Sequence, residues 1–295
     1  MLENVSCALC ANQTTQIIYE KFGLFIGSCR QCGLVYANPR LPKAEVWKRY
    51  NPDYFWQEYL PSLGVRQRQY NLESFDARYA AMLDLINSYI QPPGKLLEVG
   101  AGAGFFMKAA ERAGWDVAGI EVSEAGVQFA QTELGLDVKQ QAAEEISFDD
   151  CLFDVVVMFD VIEHLFDPPR ALGSICRVLR PGGILVIITP NFNSISRSVI
   201  GVNWAVLSPA EHLYYFSESS LKKLLEQNKF KDVEVIRQYA GFGVSDTMNP
   251  SSTHAPHALK AQAYSALVTV LGPLIFRYIQ ARGQGDTLLC VARAS

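Results

Sequence analysis

Two cysteine pairs near the beginning of the chain have the spacing of a metal site. Cys7 and Cys10 form a C-x2-C pattern that Cys29 and Cys32 repeat after 18 residues. Two such turns can direct four thiolates at one ion and complete the closed tetrahedron of structural zinc. We expect a zinc ribbon at 1–40, because so small a module needs metal ligation to supplement its core. The alternative is a set of free thiols or redox pairs.

A glycine-rich turn between an apolar run and a helical segment has the form of a nucleotide-binding loop. The stretch LLEVGAGAGFF places Gly100, Gly102 and Gly104 at every second position. Nicotinamide-binding turns instead follow G-x-G-x-x-G, whose third glycine lets helix and strand pack closely. Phe105 stands at that position, which argues against a dehydrogenase. The alternative without a ligand is a tight strand-to-helix turn.

Two acidic residues lie around this turn. Glu98 is near the end of the strand before it, and Glu121 follows the next predicted strand. A carboxylate at the second position can accept hydrogen bonds from both ribose hydroxyls of a nucleoside. The two carboxylates therefore favour a nucleoside cofactor that lacks a pyrophosphate and carries positive charge.

Two of the four histidines stand directly after glutamate and could act as general bases. His164 lies in VIEHLFDP and His212 in NWAVLSPAEHLYYFS, each after a predicted strand. Histidine is the side chain used most often for proton transfer near neutral pH. The alternatives are a packing or hydrogen-bonding role for His164 and, for His212, a place beneath a helix that Ser217 caps. His254 and His257 are expected in a solvated loop.

Strands and helices alternate through most of the chain, which predicts an α/β fold with a parallel sheet and helices on both faces. The domain of residues 93–295 follows the ribbon and a helical, aromatic connecting segment at 41–92. The aromatic cluster at 54–59 is expected either to cover the cofactor or to belong to the core. A helical insertion is predicted at about 241–286. The predicted strands are 95–99, 116–120, 138–140, 153–161, 183–190, 233–239 and 287–293.

The composition is that of an ordinary globular protein, with 49% hydrophobic residues, 19% charged residues and a formal net charge of −4. The first ten residues lack the regions of a secretory signal, and the apolar run 266–276 is too short to span a bilayer. We therefore expect a cytoplasmic protein. The mild acidity gives no basic footprint for nucleic acid.

Four motifs in order resemble those of class I S-adenosylmethionine-dependent methyltransferases: LLEVGAGAGFF, GIEVSEAG, FDVVVMFDVIEHLFDP and VLRPGGILVIITPN. The resemblance covers residues 93–240 and the last strand, and it implies a Rossmann-like seven-stranded sheet with S-adenosylmethionine as cofactor. The cysteine pairs ahead of this domain resemble a bacterial subfamily that is similar to sugar methyltransferases, including C-methyltransferases of nucleotide-linked sugars. A small-molecule acceptor, first of all a nucleotide-linked sugar, is implied.

The resemblance also implies roles for individual residues. His212 would remove a proton from the acceptor, and Glu211 would orient it or bind a substrate hydroxyl. For Glu144 and Asp160 the alternative is that each caps a helix. The residues that would bind the cofactor are Glu98, Gly100, Gly102, Gly104, Glu121, Ala143, Glu144, Phe159, Asp160 and His164.

Other readings of the sequence stay open. The ribbon could bind nucleic acid in an RNA methyltransferase, or the chain could be a non-catalytic module whose ribbon and insertion bind a partner. Two copies of the chain could form a homodimer through the apolar segment at 258–281. The sequence does not separate O-, N- and C-methylation.

Overall fold

The computed structural model describes residues 2–237, 279 and 281–295. The predicted insertion at 241–286, with its apolar segment at 258–281, falls largely outside the described residues.

Strands and helices alternate after residue 93, as the sequence predicts. The strands are β1 (Thr15–Lys21), β2 (Leu24–Cys29), β3 (Val35–Ala37), β4 (Lys95–Val99), β5 (Asp116–Glu121), β6 (Val138–Gln140), β7 (Phe153–Phe159), β8 (Leu179–Pro190), β9 (Tyr214–Tyr215), β10 (Phe230–Val235) and β11 (Thr287–Ala294). The α-helices are α1 (Lys43–Trp47), α2 (Pro52–Tyr54), α3 (Leu60–Ser62), α4 (Leu72–Tyr89), α5 (Phe105–Arg112), α6 (Glu124–Leu134), α7 (Pro168–Val178), α8 (Ile195–Ile200) and α9 (Glu218–Gln227).

A seven-stranded sheet organises the larger part of the chain, in the order β10-β11-β8-β7-β4-β5-β6. Neighbouring strands from β8 to β6 run parallel, whereas β11 is antiparallel to β8 and to β10. The central strand β7 is fully buried from Val155 to Met158, as expected for a strand covered on both faces. The predicted α/β fold is confirmed, with the correction that the last strand is antiparallel.

The strand boundaries differ from prediction mainly in β8, which begins at Leu179 and not at 183, and in β10. This strand begins at Phe230 and ends at Val235, whereas the sequence predicted 233–239. Phe230 is buried and pairs with Ala294 of β11, so the strand starts as soon as the turn after α9 is complete.

A second sheet joins the N-terminal residues to the rest of the protein. Its order is β1-β2-β3-β9, and only β9 comes from outside the first 40 residues. Val35 pairs with Tyr215 and Tyr36 with Tyr214, while the rings of Tyr36 and Tyr214 stack at 6.2 Å. The ribbon is therefore continuous with the strand that follows His212.

The connecting segment packs over the beginning of α5. Asn51 and Asn71 accept backbone N–H bonds and cap α2 and α4, respectively. The ring of Phe75 in α4 stacks on Phe105 at 3.9 Å. A π-helical turn, Phe55–Tyr59, links α2 to α3 and places aromatic rings above the glycine turn. In the part of the chain that the structure describes, no helix combines the length and apolar character needed to cross a membrane.

Candidate active site

The three glycines of the turn are needed for its conformation and for its close packing. Gly100, Gly102 and Gly104 have φ angles of 76°, 55° and 83°, a region that disfavours other residues. A Cβ on Gly102 would overlap with the Tyr59 hydroxyl, and one on Gly100 would overlap with Val161. The turn thus presents bare backbone between β4 and α5.

Three carboxylates lie at the ends of neighbouring strands beside this turn. Glu121, at the end of β5, accepts hydrogen bonds from Gly102 N and Ser123 N, both at 2.8 Å. Glu98 of β4 is only 5% exposed, and its Oε2 has no hydrogen-bond partner among the described residues. Burial raises the pKa of Glu121 and raises that of Glu98 well above its usual value.

Asp160 follows β7 and is the third carboxylate. It has a left-handed backbone with φ of 53°, and its side chain is accessible to solvent. The preceding Phe159 packs edge-on against Phe106 at 4.9 Å, so its ring joins the helix after the glycine turn to β7.

Glu144 has a different environment from the other predicted acidic residues. Ala143 begins a buried 3₁₀ turn, and Glu144 Oε1 accepts bonds from Phe166 N at 3.1 Å and from Asp167 N at 3.4 Å. Asp167 in turn caps α7 through Arg170 N. The carboxylate of Glu144 therefore fixes the start of α7, in keeping with the helix-end alternative.

Tyrosines of the connecting segment form a row that starts at the glycine turn. The Tyr59 hydroxyl is 3.4 Å from Ala103 N, which donates to it. The pKa of Tyr50 is raised, first by burial and also by the charges of Glu121 and Glu211. The ring centroids of Tyr59 and Tyr54 are 6.5 Å apart, and those of Tyr54 and Tyr50 are 6.3 Å apart. Because the neighbouring Arg49 bonds to Glu211, this row of tyrosines leads from the turn toward the Glu-His pair at 211–212.

The two predicted histidines are brought together. The rings of His164 and His212 meet edge to face, with 4.6 Å between their centroids. His164 Nδ1 donates to the carbonyl oxygen of Glu211 at 2.9 Å, and His212 Nδ1 donates to that of Val206 at 2.8 Å. Each ring is thus held as the tautomer whose Nε2 carries a lone pair. Desolvation lowers the pKa of His164 to about 4 and that of His212 to about 3, so both stay neutral.

Glu211 does not orient His212 through its side chain, which corrects one of the two predicted roles. Its Oε1 accepts a bond from Arg49 Nε at 2.9 Å. Arg49 also donates to Glu58 Oε1 at 2.8 Å. The main-chain carbonyl of Val206 holds His212 instead, because the chain folds back between 206 and 212. Glu211 therefore anchors Arg49.

A further carboxylate lies beside the histidine pair. Glu163 is 1% exposed; its Oε2 accepts a bond from Thr189 Oγ1 at 2.9 Å, whereas its Oε1 has no partner within the described ranges. Its main-chain oxygen accepts a bond from Leu213 N at 2.7 Å. Burial and the charge of Asp160 raise the pKa of Glu163 well above its usual value. Glu163 therefore links the segments that carry the two histidines.

The four N-terminal cysteines converge as their spacing predicts. One sulfur pair, Cys7–Cys32, is separated by 3.4 Å and the other, Cys10–Cys29, by 3.5 Å, and all four lie within 4.8 Å of one another. In each C-x2-C turn the main-chain oxygen of the first cysteine, Cys7 or Cys29, accepts a bond from the N–H four residues on. Four thiolates around one tetrahedral ion require sulfur separations of this order.

Comparison with known proteins identifies the family. A family model described as "Methyltransferase domain" matches residues 66–235, which is more than half of the chain. The chain belongs to the S-adenosylmethionine-dependent methyltransferases. A methyltransferase of this kind from Archaeoglobus fulgidus has the same fold, with a TM-score of 0.54, 18% identity, and coverage of 80% of this chain and 99% of that one. One from Thermotoga maritima has a TM-score of 0.50, 18% identity, and coverage of 82% and 100%.

Curated relatives match a shorter part of this methyltransferase. The ubiquinone biosynthesis O-methyltransferase of Cereibacter sphaeroides is 32% identical over 117 residues, which is 37% of this chain and 47% of that protein. The protein of the same name from Caulobacter vibrioides is 32% identical over 127 residues, or 40% and 50%. The chain therefore spans about half the length of these relatives.

The residues of this methyltransferase fit its family's cofactor. S-adenosylmethionine carries a sulfonium and an ammonium group when bound, and positive charge would compensate the unpartnered Glu98 Oε2 and its neighbours Glu121 and Asp160. The glycine turn supplies backbone that a ligand can approach without meeting a Cβ.

Sequence reasoning missed two groups of this site. Glu163 stands directly before His164, and its position in the Glu-His pair was the available signal. Arg49 lies six residues before Phe55, at the start of the aromatic segment, and only folding shows that it meets Glu211. Tyr59 belongs to the predicted aromatic cluster and contacts the turn, whereas Phe55 is buried in the core.

Proposed function

We propose that this methyltransferase transfers a methyl group from S-adenosylmethionine to a small-molecule acceptor bound beside His164 and His212. The observation that carries the proposal is that the loop after β7 contacts the glycine turn and also carries His164. A Cβ on Gly100 would overlap with Val161, and Val161 O accepts the bond from His164 N, so the turn and the histidine pair border one space, called the cleft below. A nucleophile held there would lie near the methyl group, as an in-line displacement requires.

His212 is the residue that receives the acceptor's proton in this proposal. S-adenosylmethionine, when bound, supplies an electrophilic methyl group on a sulfonium. Val206 O fixes His212 Nδ1–H, so the Nε2 lone pair is the basic atom. The deprotonated acceptor oxygen beside the ring is the negative partner that stabilises the resulting imidazolium.

The proposed acceptor is a nucleotide-linked sugar. Arg49 carries a guanidinium at the rim of the cleft, and its ring neighbour Tyr54 lies 4.5 Å from it. Three of the five N–H groups of Arg49 bond to Glu211 and Glu58, and the N–H left on each terminal nitrogen can bind a phosphate while the ring packs against a sugar. Glu211 Oε2 can still accept a hydrogen bond from a sugar hydroxyl, because the bond from Arg49 Nε goes to Oε1.

A phenolic acceptor is the second candidate. It is favoured by relatives named ubiquinone biosynthesis O-methyltransferase, such as the two described above, which match 37% and 40% of this chain. The edge-to-face histidines and the tyrosines of the connecting segment would also surround a flat ring.

We further propose that Cys7, Cys10, Cys29 and Cys32 bind one structural Zn²⁺. Their sulfur separations of 3.4 and 3.5 Å support this, and four sulfurs leave no open position for a substrate. The ribbon would then hold β3 beside β9 and so support the segment that ends in His212 and Leu213.

The experiment pairs calorimetry with an acceptor screen on the zinc-loaded full chain. Micromolar binding of S-adenosylmethionine and of its demethylated product, but not of NADH, is the expected first result. The protein and methyl-labelled cofactor are then incubated, in separate reactions, with nucleotide-linked keto sugars, with dihydroxybenzenes and with transfer RNA. Transfer to a sugar supports the proposal, transfer to a phenol selects the second candidate, and transfer to RNA or absence of cofactor binding overturns both.

A further inference from the structure

Three metal-binding side chains meet beside the proposed acceptor position, apart from the cysteine cluster. One ligand atom each from Glu163, His164 and His212 lies within 4.8 Å of the other two. Glu163 Oε1 is 4.0 Å from His164 Nε2. These residues come from two separate segments, so their convergence is a property of the fold and not of one local turn.

The hydrogen bonds of the histidines prepare both rings for a metal. Metal-binding histidines typically donate the N–H of the other ring nitrogen to a carbonyl or carboxylate, which fixes the ring and its tautomer. Here the Nδ1–H of His164 bonds to Glu211 O, and that of His212 bonds to Val206 O. Nε2 of each ring makes no hydrogen bond among residues 2–237, 279 and 281–295.

The carboxylate is prepared in the same way. Thr189 Oγ1 fixes Glu163 Oε2, whereas Glu163 Oε1 is buried without a partner. A buried unpaired carboxylate oxygen is costly and is expected to have a partner in the working protein. His164 keeps 22% of its side-chain surface accessible, so the cluster opens toward the cleft on the histidine side.

We propose that Glu163, His164 and His212 bind one divalent transition-metal ion with positions left open for the acceptor's oxygen. Two imidazoles and one carboxylate suit Mn²⁺, Fe²⁺ or Zn²⁺, and such a set leaves coordination sites free for a substrate. This inference rests on the proposed function and names its acceptor class: a molecule with a hydroxyl, or two adjacent oxygens, that can bind a metal.

The cation changes how the acceptor loses its proton. An acceptor hydroxyl bound to the ion is acidified and releases its proton to solvent. Its oxygen then forms a bond to the methyl carbon while the carbon–sulfur bond breaks and its electron pair stays on sulfur. The sulfonium becomes a thioether, and the product is the methyl ether. In the loaded protein His212 is a ligand, and it acts as the base only when the ion is absent.

Manganese distinguishes this site from the cysteine cluster, because thiolates favour softer ions. Zinc-loaded full-length protein is titrated with Mn²⁺, and free Mn²⁺ is followed by electron paramagnetic resonance. One Mn²⁺ per chain is expected, with at least tenfold weaker binding in Glu163→Gln. The matched control is Glu144→Gln, a buried carboxylate outside this cluster that bonds at the start of α7, and it should bind Mn²⁺ like the wild type.

A second variant covers the case in which Glu163→Gln fails to fold. His164→Asn keeps a donor for Glu211 O but removes Nε2, so it should also lose Mn²⁺ while still binding S-adenosylmethionine. Equal Mn²⁺ binding by the wild type and His164→Asn, or no binding by the wild type, would overturn the site.

Cofactor binding and methyl transfer without Mn²⁺ binding would leave the proposed function standing. Mn²⁺ binding without methyl transfer to any acceptor would contradict that function and leave the metal site.

Turnover provides the last readout. With the metal stripped from this site and zinc retained on the cysteines, transfer to an oxygen acceptor is expected to fall at least tenfold and to return on addition of Mn²⁺. Unchanged turnover with Mn²⁺ demonstrably bound would overturn the role of the ion in holding the acceptor.

Discussion

His164 Nδ1 lies 2.9 Å from the carbonyl oxygen of Glu211, a residue 47 positions further along the chain. The return bond runs from Leu213 N to Glu163 O at 2.7 Å. These two bonds join the loop after β7 to the segment before β9, and they place the two histidine rings in contact. The active-site candidate is thus assembled by main-chain groups, which depend little on side-chain identity at 211 and 213.

His212→Asn is expected to abolish most turnover without affecting the cofactor. Asparagine can still donate to Val206 O but has no equivalent of Nε2, whether that atom acts as base or as metal ligand. We predict a loss of about 10²- to 10⁴-fold in kcat, the usual contribution of a proton-transfer group. Calorimetry should give an unchanged dissociation constant for S-adenosylmethionine. A variant with wild-type kcat would remove His212 from the chemistry.

Glu98→Gln is expected to change both the pH dependence of stability and cofactor affinity. Burial raises the native pKa of Glu98 well above its usual value, so the native state retains a proton that the unfolded chain releases. The free energy of unfolding therefore falls as pH rises from the unfolded pKa, about 4.3, toward the native one. Each unit by which the native pKa exceeds the unfolded one changes the free energy of unfolding by about 1.4 kcal/mol. Glutamine at position 98 cannot ionise, so the variant should lack this pH dependence.

Denaturant titrations of the wild type and Glu98→Gln between pH 5 and pH 8 measure the difference. The same variant should bind S-adenosylmethionine at least about tenfold more weakly, because the buried acceptor for its positive charge is gone. Glu144→Gln is the control, since the Glu144 carboxylate bonds to backbone N–H groups at the start of α7. Parallel stability curves for wild type and Glu98→Gln would contradict the prediction.

The sequence predicted the parts of this site that depend on local chain geometry. The glycine turn, the end of β5 and the C-x2-C turns are each set within a few residues, and each was found where the motif placed it. Contacts between distant segments were not predictable in this way. The bond between Arg49 and Glu211 and the pairing of β3 with β9 depend on how the ribbon packs, which no local pattern encodes.

The orienting partner of His212 shows the same limit. A glutamate directly before a histidine suggested a side-chain pair, whereas neighbouring residues of an irregular segment point in different directions. The acceptor is Val206 O, six positions back, because the chain between 206 and 212 turns on itself through main-chain bonds to Ser208.

Gly102→Ala is expected to weaken cofactor binding far more than a comparable glycine substitution. A Cβ at 102 would meet the Tyr59 hydroxyl and displace the aromatic segment that covers the turn. Gly135→Ala is the matched control, because Gly135 also has a left-handed φ of 68° but nothing within 4 Å of an added Cβ. Both variants should lose about 1–3 kcal/mol of stability from backbone strain. Only Gly102→Ala should lose S-adenosylmethionine binding in calorimetry; equal losses would mean that strain alone is responsible.

Loss of the proposed zinc is expected to impair turnover while leaving the cofactor site intact. Ala37 N donates to Leu213 O, and Leu213 N donates to Glu163 O, so a short series of bonds leads from the ribbon to the histidines.

Cys10→Ser should lower zinc content, measured by atomic emission, from one ion per chain to less than half. The kcat should fall with it, whereas S-adenosylmethionine binding should change by less than about threefold, because the glycine turn belongs to the other sheet. Cys151→Ser, an exposed cysteine outside the cluster, controls for thiol loss. Full turnover in a zinc-free Cys10→Ser protein would show that the ribbon does not support the acceptor side of the cleft.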